Sequence, residues 1–115
     1  MQAPGRLDLE LWQGATWSYV LTWEIDGVAV NLGGYTARLQ ARETVSDSST
    51  ALSISTSSGI TLGGSAGTIT LSRSATQTAA LTPGRYYYDL ELESAGGVVT
   101  RLLEGTLTIY AEVTR

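Results

Sequence analysis

The sequence contains no histidine, no cysteine, no lysine and no phenylalanine. Without imidazole or thiolate there is no Ser-His-Asp or Cys-His nucleophile and no zinc site built from those ligands. Without lysine there is no Schiff base and no P-loop cation. Without cysteine there is no disulfide framework, which suits a reducing compartment without requiring one. No apolar run approaches the roughly 18 residues that mark a membrane span. "MQAPGRLDLELW" lacks a signal-peptide core, so neither a membrane nor export is expected. All seven cations are arginines, scattered along the chain, against eleven carboxylates and a net charge of −4. Phosphate binding rests on clustered cations, so nucleic acid is not an expected partner. These absences leave a carboxylate-only enzyme, a calcium site, or a binding or structural module.

What is present reads as strand. The 115 residues suit one domain with one core. Short alternating runs rich in Thr, Ser, Val, Leu and Tyr are separated by turn signals, the pattern of an all-β sandwich. "NLGGYTARLQAR" sets a Gly-Gly turn before Tyr35, Ala37, Leu39 and Ala41 on one face and Thr36, Arg38, Gln40 and Arg42 on the other. "RLDLELW" alternates Leu7, Leu9 and Leu11 against Asp8, Glu10 and Trp12. In "TWSYVLTWE", Trp17, Tyr19, Leu21 and Trp23 share a face, which predicts that they fill the core. Asp26-Gly27 predicts a two-residue hairpin with φ > 0 at both positions. "ETVSDSSTA" reads as a polar loop, and Ser57 to Gly59 as a break between short strands.

"SATQTAAL" is the one helical candidate, near residues 74–81, with Ser74 and Gln77 placed for a capping box. "RYYYDLELE" is the strongest strand, with Tyr86, Tyr88, Leu90 and Leu92 inward. "VVTRLLEG" and "GTLTIYAEV" read as two further strands, the latter turning Leu107, Ile109 and Ala111 inward. "LTPGRY" places Tyr86 just after a Pro-Gly corner, where a tyrosine corner would pin two sheets together. The expected fold is an all-β, immunoglobulin-like antiparallel β-sandwich of about seven to nine strands over residues 7–115. Residues 1–6 are expected to form a flexible arm, ordered on assembly.

Asp89, Glu91 and Glu93 form a carboxylate row, with Asp8 and Glu10 a second. Residues two apart on a strand lie roughly 6–7 Å apart, too far for a tight shared ligand set from one strand, and no Asp-rich loop accompanies them. They read as a solvated sheet face that Arg38, Arg42 and Arg101 can pair with across strands, at a few tenths to about 1 kcal/mol each. "GGSAG" is followed by a strand and so reads as a hairpin turn, not a phosphate cradle. No metal and no cofactor are expected. Trp12, Tyr87 and Tyr110 fall out of phase with their apolar neighbours. Outward Trp and Tyr mark contact surfaces, and arginine forks onto carboxylates of a partner. The candidate interface residues are therefore Trp12, Arg38, Arg42, Tyr87 and Tyr110.

The stretches "QGATWSYVLTW", "DGVAVNLGGYTARLQAR", "GGSAGTITLSRSATQTAAL", "GRYYYDLELES" and "GGVVTRLLEGTLTIYAEVTR" together resemble small virion proteins of tailed bacteriophages. "NLGGYTARL" is locally similar to the sandwich domain that opens phage baseplate upper proteins. The resemblance implies a non-enzymatic virion component in the tail, baseplate or fibre region, with other virion proteins or copies of itself as partners. It implies turn glycines at Gly14, Gly33, Gly34, Gly84 and Gly105, and no catalytic residues. A capsid decoration protein of the same fold is the alternative. A carbohydrate-binding module using Trp12 and the outward tyrosines is a third reading. A buried carboxylate pair facing a cleft would point to an enzyme instead.

Overall fold

The computed structural model describes residues 5–114 as an all-β protein with one short helix. Its strands are β1 (Gly5–Arg6), β2 (Leu9–Trp12), β3 (Trp17–Thr22), β4 (Glu24–Ile25), β5 (Val28–Ala29), β6 (Thr36–Arg42), β7 (Leu52–Ser55), β8 (Ile60–Leu62), β9 (Thr68–Arg73), β10 (Gly84–Glu93) and β11 (Val99–Tyr110), with helix α1 (Ala75–Ala79) between β9 and β10. A six-stranded sheet runs β1-β11-β10-β6-β7, with β2 also on β11. A three-stranded sheet runs β3-β9-β8, and β4-β5 is a separate hairpin. The inner faces of the two larger sheets share one core, which joins Leu39, Leu90, Leu92 and Leu107 to Ile60, Ile69 and Leu71. The break at residues 56–59 is where the chain passes from one sheet to the other.

Local signals act where they stand in the sequence. Asp26 and Gly27 both have positive φ, 53° and 78°, and close the β4-β5 hairpin. Ser74 Oγ accepts from the Gln77 amide at 3.2 Å while Gln77 Oε1 accepts from the Ser74 amide at 2.9 Å, so the capping box forms. Tyr86, Tyr88, Leu90 and Leu92 are all buried, as are Ala37, Leu39 and Ala41 opposite them. The Tyr86 hydroxyl donates to the Thr82 carbonyl at 2.8 Å, closing the corner ahead of β10. Thr78, fully buried, donates to the Ala15 carbonyl at 2.9 Å and ties α1 to the turn between β2 and β3.

Four expectations are corrected. The segments on either side of Gly105 are one twelve-residue strand, and Gly105 lies within it rather than at a turn. Its lack of a side chain serves a close approach: a Cβ there would overlap the Leu7 carbonyl. Ala111 lies beyond the strand end and is exposed. The large sheet is not wholly antiparallel, because β1 and β2 both run parallel to β11. Tyr19 is 37% exposed rather than in the core, because β3 is a sheet edge, paired on one side by β9. Of its face-mates, Trp17 is buried, while Leu21 and Trp23 pack half-buried against the core rim.

Of the expected arm, residues 1–4 lie outside the described residues, and Gly5 and Arg6 pair with Leu103 and Glu104. The N-terminal strand is held where it breaks, at Leu7 and Asp8. The Tyr88 hydroxyl donates to the Leu7 carbonyl at 2.5 Å, and Asp8 Oδ1 accepts from the Thr106 amide at 3.1 Å. Burial pushes the Tyr88 phenol well above its usual range, so it stays a neutral donor. The Thr106 amide holds the Asp8 carboxyl below its usual range.

Candidate functional site

All five candidate residues fall on the outer face of the six-stranded sheet. The period of two puts Leu9, Leu11, Leu107 and Ile109 inward, so Glu10, Trp12, Thr108 and Tyr110 face out on β2 and β11. On β10 and β6, Tyr87, Asp89, Glu91 and Glu93 face out beside Arg42, Gln40, Arg38 and Thr36.

At one end of this face Trp12 and Tyr110, paired in register, stack with ring centroids 5.1 Å apart and planes 22° apart. The Tyr110 hydroxyl donates to Glu10 Oε2 at 2.6 Å, which raises the phenol's pKa and fixes the ring. Trp12 remains 52% exposed. The pair is thus a pre-ordered apolar platform, whose side-chain entropy is already partly spent before any partner arrives.

Tyr87, 53% exposed, stands about four residues away along β11, roughly 13 Å. It borders a shallow groove of about 350 Å³ together with Gln40, Arg42, Val45, Asp89 and Arg101. Arg42 does not reach the carboxylate row. Its Nη1 donates to the Asp47 carbonyl at 2.9 Å and its Nη2 to Gln40 Oε1 at 2.8 Å. It therefore tethers the loop after β6 and shapes one wall of the groove. That loop brings in Val45, 83% exposed, which sequence reading left among polar residues.

At the other end lies an ion-pair ladder. Arg38 meets Glu91 at 2.9 Å and Glu93 at 3.5 Å; Arg101 meets Asp89 at 3.4 Å and Glu91 at 3.6 Å. Glu91 is the shared rung. Burial raises the Asp89 carboxyl, while Arg101 pulls it the other way. Because the arginines stay half exposed, the ladder adds little to stability. It sets the register of β6, β10 and β11 more than it stabilises them.

The carboxylates of the β10 row, Asp89, Glu91 and Glu93, are each paired with an arginine, and Asp89 remains accessible at its groove rather than forming a buried pair. Among the described residues, no group of three or more Asp or Glu is placed to hold a metal ion. No described helix is long and apolar enough to cross a membrane. Neither a family model nor a curated protein matches the chain.

Proposed function

We propose that this chain is a non-enzymatic protein–protein interaction module of a tailed-phage virion. It acts as an adaptor in the tail, baseplate or fibre region, docking through the outer face of its six-stranded sheet. The observation that carries the docking role is that this one face presents Trp12, Tyr87 and Tyr110 together with the Arg38–Arg101 ladder. Exposed Trp and Tyr beside arginine is the composition that concentrates binding energy at interfaces. The virion setting rests on the sequence resemblance.

The module reads as an immunoglobulin-like sandwich. The order β2-β11-β10-β6-β7 against β3-β9-β8, with Tyr86 bonded back to Thr82, supports this reading. In an antibody domain a half-cystine stands two residues after the corner tyrosine. Here Tyr88 occupies that place and reaches the Leu7 carbonyl, so a buried hydrogen bond holds the N-terminal strand without a disulfide.

The test is localisation of the chain by mass spectrometry and cryo-EM in particles purified from cells that express it. Density at the tail tip or fibre base is expected. Density on the capsid lattice would make the chain a decoration protein. Absence from the particle would contradict both, and glycan binding through Trp12 would be examined next.

A further inference from the structure

Each larger sheet has two edges, and they differ. On the six-stranded sheet, β7 has four residues, and the opposite edge is broken at Leu7–Asp8 between β1 and β2. On the three-stranded sheet, β8 has three residues, whereas β3 has six, "WSYVLT", without a break. β3 carries no charge, proline or glycine, so it lacks the residues that commonly blunt an edge. Among the described residues, β9 is the only strand that pairs with it.

Its free side can be read from the ladder. The Trp23 amide donates to the Gly67 carbonyl on the β9 side at 2.9 Å. In an antiparallel pair the backbone groups alternate in direction. Tyr19 and Leu21 therefore point their amides and carbonyls at β9, and Ser18, Val20 and Thr22 point theirs outward. No described turn or loop bond takes up those outward groups.

We propose that two copies of the chain join through β3, antiparallel about a two-fold axis at Val20, to make one continuous six-stranded sheet. This goes beyond the docking face, which lies on the other sheet. The register follows from the outward set: Val20 faces its own counterpart and Ser18 faces Thr22, so every outward amide meets an outward carbonyl. The same register places Tyr19 of each copy opposite Leu21 of the other. Leu21 borders an open groove of about 250 Å³, walled by Trp23, Leu102 and Leu103. Tyr19, left 37% exposed, thereby gains an apolar neighbour beside it, and Val20, 58% exposed, gains its own counterpart. An isologous contact of this kind closes at two copies. A second copy fits better than a charged partner segment because β3 offers no charge to pair with.

The chain has no cysteine, so Val20→Cys introduces a single reporter. Under mild oxidation, V20C is expected to form a covalent dimer far faster than Val28→Cys, placed on the exposed β4-β5 hairpin. In sedimentation, the unmodified chain is expected to dimerise with rising concentration. Added salt should strengthen the dimer by screening the repulsion between two chains of net charge −4. Val20→Pro removes an outward amide while leaving the β9 ladder intact, and should raise the dissociation constant about tenfold or more. Val20→Lys, which sets two cations at the axis, should do the same and serves if V20P fails to fold by circular dichroism. A chain monomeric at every concentration would overturn the proposal. So would a dimer indifferent to both V20P and V20K, equal cross-linking of V20C and V28C, or a dimer that dissociates in salt.

Discussion

Gly105→Ala is expected to lower the thermal midpoint by about 10 °C, the equivalent of about 3 kcal/mol. Gly105 sits in the middle of β11, at the point where the N-terminal chain crosses between β1 and β2. A Cβ there would overlap the Leu7 carbonyl oxygen, and would stand 2.9 Å from the Leu7 carbonyl carbon and 3.1 Å from Asp8 Oδ1. These are mostly backbone atoms, so no side chain can swing away. Relief requires the N-terminal strand to retreat. That retreat strains the Tyr88–Leu7 bond, the Asp8–Thr106 bond and the Leu7 amide's 3.1 Å bond to the Glu104 carbonyl. Leaving the Tyr88 hydroxyl buried without its acceptor adds to the cost. Gly27→Ala is the control: its φ of 78° is unfavourable, but nothing lies within 4 Å of the added carbon. It should lose about 1 kcal/mol, the left-handed penalty alone. If both variants melt alike, Gly105 is not a point of close approach.

Leu90→Ala is expected to cost about 3–4 kcal/mol in chemical denaturation. β10 is interior to the large sheet, between β11 and β6, and Leu90 stands in register with Leu103 on one side and Leu39 on the other. It is fully buried, and the adjacent bulge between Leu90 and Glu91 limits how far the strands can close over a cavity. A domain of this size commonly has a total stability of about 5–15 kcal/mol. The substitution therefore removes a large part of it. Leu21→Ala, at the half-buried rim of β3, should cost about 1 kcal/mol. Equal losses at the two sites would mean that the core is not centred on β10.

Features encoded by neighbours in the chain were legible from sequence. Asp26-Gly27, the Ser74–Gln77 cap, the Tyr86 corner and the inward set Tyr86 to Leu92 each depend on residues within a few positions. The outward placement of Trp12, Tyr87 and Tyr110 followed from the same period of two. What alternation does not encode is what stands across from a face or beside an edge. Tyr19 shared a face with Trp17, yet β3 runs along a border and leaves it partly open. Gly105 looked like a turn glycine because a close backbone approach and a turn leave the same mark in a sequence. Its partner, Leu7, is nearly a hundred residues away. The parallel pairing of β1 and β2 with β11 spans a similar separation and has no local signal. Arg42 was read on the correct face, but the returning loop captured its guanidinium through the Asp47 carbonyl. That loop also delivered Val45 to the groove.

The outer face of the large sheet as a docking surface is tested most directly by hydroxyl-radical footprinting. Oxidation of Trp12, Tyr87 and Tyr110 would be compared between the free chain and the chain in purified particles. Protection of these three is expected, while Val28 on the separate β4-β5 hairpin keeps its reactivity. Reactivity at Trp12, Tyr87 and Tyr110 unchanged from the free chain would contradict docking through this face.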